Sequence, residues 1–226
     1  MAFTLDKVVP WGRSFAEYVA MFALSETDLE QRILGCGDGP AAFNSELTQQ
    51  GGQVTSTDPI YQFTAEEIRA RIAATFAEVV EKTRQNLDDF NWTSIRSPEE
   101  LGQVRMAAME QFLADFDLGK AQRRYITASL PELPFADDSF DLALCSHFLF
   151  LYSPQFDVEF HLAAVQEMLR VAPEVRIFPL VELGNARSRH LDWVMAQLKA
   201  LGHSLQVRTV VYEFQKGGNK MLCIHR

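Results

Sequence analysis

Residues 31–61 read QRILGCGDGPAAFNSELTQQGGQVTSTDPIY. Ile33 and Leu34 close a short apolar run, and glycines follow at positions 35, 37 and 39. Phe43 and Leu47 then stand four apart, as on one face of a helix, until the Gly51-Gly52 pair stops it. Val54 opens a second apolar stretch that ends at Asp58. The predicted order is strand, glycine turn, helix, strand, acid. Glycines let the backbone turn sharply and approach a ligand closely, while a helix N-terminus presents unpaired N–H groups. Asp58, about 20 residues beyond the turn, is placed to accept hydrogen bonds from a ribose diol.

Working outward, residues 11–24 have a helical pattern through Phe15, Val19 and Phe22. Residues 63–86 form a strong amphipathic helix with Ile68, Ile72, Phe76, Val79 and Val80 on one face. Ser97-Pro98-Glu99-Glu100 is a helix start that runs to about Phe116, with Ser97 as cap. Arg124 to Thr127 reads as a third strand and Leu142 to Leu144 as a buried fourth, with Ser146 and His147 at its carboxyl end. Residues 157–171 are a helix, Val175 to Leu180 a fifth strand and 187–201 a helix. Residues 205–214 and 220–225 close the chain as an antiparallel pair across Lys216-Gly217-Gly218-Asn219. This gives an α/β fold of seven strands. The whole chain, 1–226, reads as one domain with a helical insertion at about 62–122. The insertion is far longer than the dozen or so residues a crossover needs. It reads as a lid or substrate subdomain, or as a buttress or the contact surface of a homodimer.

Two stretches resemble the class I (Rossmann-like) S-adenosylmethionine-dependent methyltransferases. The first is the glycine turn with Asp58; the family's motif has the form acid-x-Gly-x-Gly-x-Gly. Counting back from Asp58 by the family's spacing puts Gly35 at the acidic position, Gly37 and Gly39 at the first two glycines and Ala41 at the third. Placing Gly35, Gly37 and Gly39 on the three glycines instead puts Ile33 at the acid. In either register the motif acid is missing. If Gly35 holds the acid's place, Gly35→Asp should fold and bind ligand at least as well as the parent; if it is a turn glycine, a side chain there costs stability. The second stretch is Leu133-Pro134-Phe135 followed by Ser139-Phe140-Asp141-Leu142. Four residues before it the family usually carries an acid facing the adenine; here Ser129 and then Leu130 stand there. The resemblance implies a Rossmann-like three-layer sandwich on a mostly parallel sheet, with S-adenosylmethionine as cofactor and S-adenosylhomocysteine as product. It also implies cofactor contacts from Gly35, Cys36, Gly37, Gly39, Asp58, Pro59, Ser129, Leu130 and Ser146. A helix before the first strand often packs over the cofactor in this family, which brings in Arg13 and Tyr18. Arg13 also reads as a solvated helix start and Tyr18 as a core residue.

Methyl transfer from a sulfonium asks chiefly for alignment of an incoming nucleophile. Acceptors with an acidic proton also need a base, and His147 is the best-placed candidate. Tyr152, five residues on, is placed to orient a substrate or to fill the core. His147 reads equally as a strand-end residue held by a backbone hydrogen bond. The glycines fit the dinucleotide pattern G-x-G-x-x-G poorly, because Pro40 or Ala42 would stand at its last glycine. A nucleotide-dependent oxidoreductase is therefore the weaker alternative. A non-catalytic ligand- or partner-binding descendant of the fold is the stronger one, given Gly35 and Ser129 where carboxylates are usual.

A net charge of −9 disfavours a nucleic-acid backbone as partner, and a small-molecule substrate fits better. No run approaches 18 apolar residues and no basic-then-apolar leader opens the chain, which points to no membrane and to the cytoplasm. Cys36, Cys145 and Cys223 are far apart and read as buried free thiols. The histidines show no metal-ligand spacing.

Overall fold

A computed structural model describes residues 9–226. Its sheet has seven strands in the order β3-β2-β1-β4-β5-β7-β6. These are β1 (Arg32–Cys36), β2 (Gln53–Thr57), β3 (Tyr125–Ile126), β4 (Leu142–Ser146), β5 (Glu174–Phe178), β6 (Ser204–Thr209) and β7 (Lys220–His225). The pairs β1–β2, β1–β4, β2–β3 and β4–β5 are parallel, whereas β7 runs antiparallel to both β5 and β6. The α/β architecture is the one expected; β3, β5 and β6 are shorter than the periodicity suggested, β4 runs on to Ser146, and β7 has the expected bounds.

Alternation along each strand builds the two outer layers. Leu34, Cys36, Ala143, Cys145, Val175 and Ile177 point to one face, covered by α6 (Val158–Val171) and α7 (Leu191–Ala200). Ile33, Leu142 and Leu144 point to the other, beneath α1 (Phe15–Phe22) and α3 (Phe43–Gln49). A short helix α2 (Glu26–Leu29) lies between α1 and β1. The three cysteines are buried and free.

Between β2 and β3 come α4 (Ala65–Gln85) and α5 (Pro98–Ala121), which pack on each other. Thr64 and Glu67 form a reciprocal capping box at the start of α4. Ser97 caps α5 with Pro98 in its first turn, as the sequence predicted. A buried aromatic cluster, Tyr61, Phe112, Phe116 and Tyr125, fastens α5 to the end of β2 and to β3. Among the described residues no helix is long and apolar enough to cross a membrane.

Candidate functional site

The carboxyl ends of β1, β2 and β4 open onto a cavity of about 730 Å³. Gly37 and Gly39 turn there with φ of +67° and +54°, conformations that side chains disfavour. A Cβ on Gly39 would have only Asp58 Oδ2 near it, at 3.9 Å, so the turn leaves open space over the strand ends. Asp58 fastens this turn. Its Oδ2 accepts from Gly39 N–H at 2.9 Å and its Oδ1 from Ile60 N–H at 2.9 Å. Burial pushes its pKa up to about 6, against the pull of those two N–H donors.

Gly35 requires a correction. Its φ is not positive, yet it has no room for a side chain: a Cβ would lie 1.8 Å from Asp38 Oδ2. The Asp38 side chain folds back over β1 and fills that space. Its Oδ1 accepts from the Tyr18 hydroxyl at 2.9 Å and its Oδ2 from the Ser56 hydroxyl at 2.6 Å. Burial raises the Asp38 pKa to about 6 although both hydroxyls favour the anion. The Asp38 carboxylate occupies the space that a side chain at position 35 would need, so an acid at 35 cannot be added beside it. Neither Gly35 nor Cys36 lines the cavity. The Cys36 side chain points into the opposite layer beside Cys145, where burial drives its pKa up.

The other expected residues, Arg13, Tyr18, Pro59, Ser129, Leu130, Ser146, His147 and Tyr152, all reach the wall. Tyr18 is buried and stacked on Phe43 with ring centres 4.6 Å apart. Arg13 Nη1 donates to Trp11 O at 2.7 Å, and its buried Nε has no partner. Next to it lies a closed ionic cluster. Fully buried Arg105 on α5 donates to Glu17 Oε2 at 2.5 Å, and the Tyr212 hydroxyl donates to Glu17 Oε1 at 2.9 Å. Burial alone would raise Glu17, but the charge and hydrogen bond of Arg105 outweigh it and hold the carboxyl at about 2. His147 has a left-handed φ of +50°, and its Nδ1 lies 3.0 Å from Ser146 Oγ. Burial, then the charges of Arg13 and Arg105, lower its pKa well below the usual value, so the ring is neutral. The Tyr152 hydroxyl meets the backbone N–H of Val9, and burial raises its pKa.

From the insertion, α4 contributes Glu67, Ile68, Arg71, Val79 and Thr83 to the wall and α5 contributes Leu101. Sequence reading passed over Asp38, although an acid set between two glycines of a ligand-binding turn was the available signal. It also passed over Arg105, whose partners lie 88 and 107 residues away and leave no local pattern. Among the described residues no group of three His, Cys, Asp or Glu side chains is arranged to hold a metal.

No family model matches the chain. Solved structures similar to it include magnesium protoporphyrin IX methyltransferase from Synechocystis PCC 6803 with bound S-adenosylmethionine. That likeness has 13% identity and a TM-score of 0.48, covering 94% of this chain and 77% of the other. The PH0226 protein of Pyrococcus horikoshii matches with 9% identity and a TM-score of 0.49, over 93% and 90% of the two chains. A SAM-dependent methyltransferase from Aquifex aeolicus matches with 15% identity and a TM-score of 0.44, over 92% and 91%. In sequence, the chain is 34% identical over 224 residues to a protein of Methanocaldococcus jannaschii described as "Uncharacterized protein MJ0045". The alignment spans 98% of both, and the chain belongs to the family of that archaeal protein.

Proposed function

We propose that this protein is an S-adenosylmethionine-dependent methyltransferase acting on a small-molecule acceptor. The observation that carries the reading is a pair of carboxylates without a cationic partner, Asp38 within an open glycine turn at the carboxyl edge of the sheet and Asp58 fastening that turn. Asp58 suits a ribose diol, because each of its oxygens keeps acceptor capacity beyond one N–H bond. Asp38 and Arg13, an anion and an underused cation both beside Tyr18, complement the ammonium and carboxylate of an amino-acid moiety. Leu130 offers an apolar ledge for a base, with Ser129 beside it in the wall. When bound, the cofactor supplies a methyl carbon made electrophilic by its sulfonium.

The chain's own contribution is alignment and a proton acceptor. Ser146 faces Tyr18, and Tyr18 donates to Asp38. Ser146 Oγ lies 3.0 Å from His147 Nδ1; in the tautomer whose Nδ1–H donates to that hydroxyl oxygen, Nε2 keeps a free lone pair. Neutral His147 can take a proton from an acceptor O–H or N–H, with a driving force that its lowered pKa reduces. The helices α4 and α5 roof the cavity wall and serve as the lid that governs acceptor entry.

Calorimetry with S-adenosylhomocysteine tests the reading, with NAD as control. Saturable adenosyl binding without NAD binding is the expected result, and millimolar ligand should raise the melting temperature. Absence of any adenosyl binding would favour a descendant of the fold that has lost the cofactor.

A further inference from the structure

The cavity has a second end that the cofactor residues do not reach. Along α4 its wall runs from Glu67 to Thr83, which at 1.5 Å per residue is about 24 Å. The charged wall residues Asp38, Asp58, Glu67 and Arg71 gather at the first end, and Arg13 stands with His147 between the two. The far end is walled by Val79, Phe90, Leu101, Leu183 and Phe214, which pack as one apolar cluster. The Phe90 and Phe214 rings stack with centres 5.0 Å apart, presenting aromatic surface. Thr83 Oγ1 donates to Val79 O and Gln215 Nε2 to Glu182 O, so these donors are spent on the fold.

One polar atom there is not spent. Asn185 lines the cavity with φ of +73°, a conformation asparagine tolerates, and its Nδ2 donates to Asp89 O at 2.8 Å. That bond fixes which side of the amide is oxygen. Asn185 Oδ1 is buried and has no hydrogen-bond partner. A buried acceptor left unmade is costly, and native structures rarely keep one without a use.

We infer that this far chamber is the acceptor subsite, and that it takes an uncharged, flat, largely apolar molecule carrying one N–H or O–H donor for Asn185 Oδ1. Among the described residues no charged side chain walls this end, so a carboxylate or ammonium on that part of the ligand would be buried there without a partner. Calling the ligand the methyl acceptor rests on the methyltransferase reading; the chamber's preference does not.

The test uses 2-naphthol, 2-methoxynaphthalene and 2-naphthoate as probes, titrated against the full chain with and without S-adenosylhomocysteine. In the wild type, 2-naphthol should bind roughly three- to tenfold more tightly than 2-methoxynaphthalene, as one hydrogen bond allows, and 2-naphthoate should bind most weakly. Asn185→Gly, which keeps the backbone unstrained, should erase the naphthol preference and leave the S-adenosylhomocysteine affinity within about twofold. Leu101→Trp should narrow the chamber and weaken both neutral probes together. Equal binding of naphthol and its methyl ether in the wild type, tightest binding of the naphthoate, or no binding of either neutral probe overturns the inference. So does an Asn185→Gly protein that keeps the preference. Failure of S-adenosylhomocysteine to bind while the naphthalene series behaves as stated would remove the methyltransferase reading and leave the subsite.

Discussion

Glu17 precedes Tyr18 on α1 and Asp38 accepts from the Tyr18 hydroxyl, yet the surroundings of these two carboxylates drive them in opposite directions. Beneath α1 and α5, Glu17 meets Arg105 and Tyr212, and its pKa falls to about 2. At the glycine turn, Asp38 meets only hydroxyls and Asp58 only backbone N–H groups, and both rise to about 6. Carboxylates contribute opposite terms in these two regions. Glu17's stabilisation is complete above its unfolded pKa and is lost as pH falls towards 2. Asp38 and Asp58 bind protons more readily folded than unfolded, so stability declines as pH rises from about 4 to 6. Above that range each acid costs on the order of 3 kcal/mol. Glu17, compensated by Arg105, joins α1 to α5, whereas Asp38 and Asp58 face the cavity without a cationic partner.

The sharpest break of that comparison is Arg105→Met. Removing one partner of a buried pair leaves Glu17 as an unpaired buried charge, and stability at pH 7 should fall by about 3–5 kcal/mol. The difference from wild type should shrink as pH falls through the pKa of the stranded Glu17, which burial without Arg105 raises above the usual carboxylate value. Denaturant unfolding at several pH values reads both effects; a loss under about 1 kcal/mol would mean that the cluster is not what ties α5 to α1.

Asp58→Ala acts on the other side. A hydrogen bond to a charged acceptor contributes roughly 1.5–3 kcal/mol, so S-adenosylhomocysteine affinity should drop on the order of 10- to 150-fold. Asp58 is not the exposed strand tip that an acid after β2 suggests, because it caps the following 3-10 turn and holds Gly39. Loss of a cap costs about 1 kcal/mol, but a buried uncompensated charge disappears with it, so folding stability should change little at pH 8. Titration of the variant at unchanged affinity would place the cofactor elsewhere.

A smaller effect separates positions 35 and 38. Gly35→Ala sets a methyl group against the Asp38 carboxylate and should cost about 1–3 kcal/mol by overpacking. Gly35→Asp alone should be worse, whereas Gly35→Asp with Asp38→Gly should recover most of both stability and ligand binding. A single Gly35→Asp variant as stable as wild type in thermal melts would show that Asp38 does not occupy that space.

The contrast also explains what the sequence could disclose. Strand, glycine turn, helix, strand and Asp58 are neighbours in the chain, so period and turn chemistry expose them, as they expose Ser97-Pro98 at the head of α5. Asp38 is local too, but reading it requires knowing that its side chain folds back over Gly35, a matter of rotamer and not of pattern. Arg105 with Glu17, and Asn185 with Asp89, join segments 88 and 96 residues apart, and neither pair follows a periodicity. The cofactor end was legible because one βαβ unit builds it. The far chamber was not, because α4, α5 and the loops after β5 and β6 each supply one wall.

The finest test lies on Tyr18, which belongs to both regions. Its hydroxyl donates to Asp38, and the ring stacks on Phe43. Tyr18→Phe keeps the stack and removes one of two donors that favour the Asp38 anion, so Asp38 should titrate at a higher pH than in the wild type. An ammonium group binds the ionised carboxylate, so S-adenosylhomocysteine affinity should rise with pH up to about 6 in the wild type and level off above it. In the variant the same curve should level off at a higher pH, by up to about one unit. Affinity at pH 8, where Asp38 is ionised in both proteins, should differ by less than about threefold. Curves that superimpose across pH 5 to 8 would mean that the ligand's charged end does not sense Asp38. A uniform drop at every pH would instead assign Tyr18 a packing role and detach it from the acid.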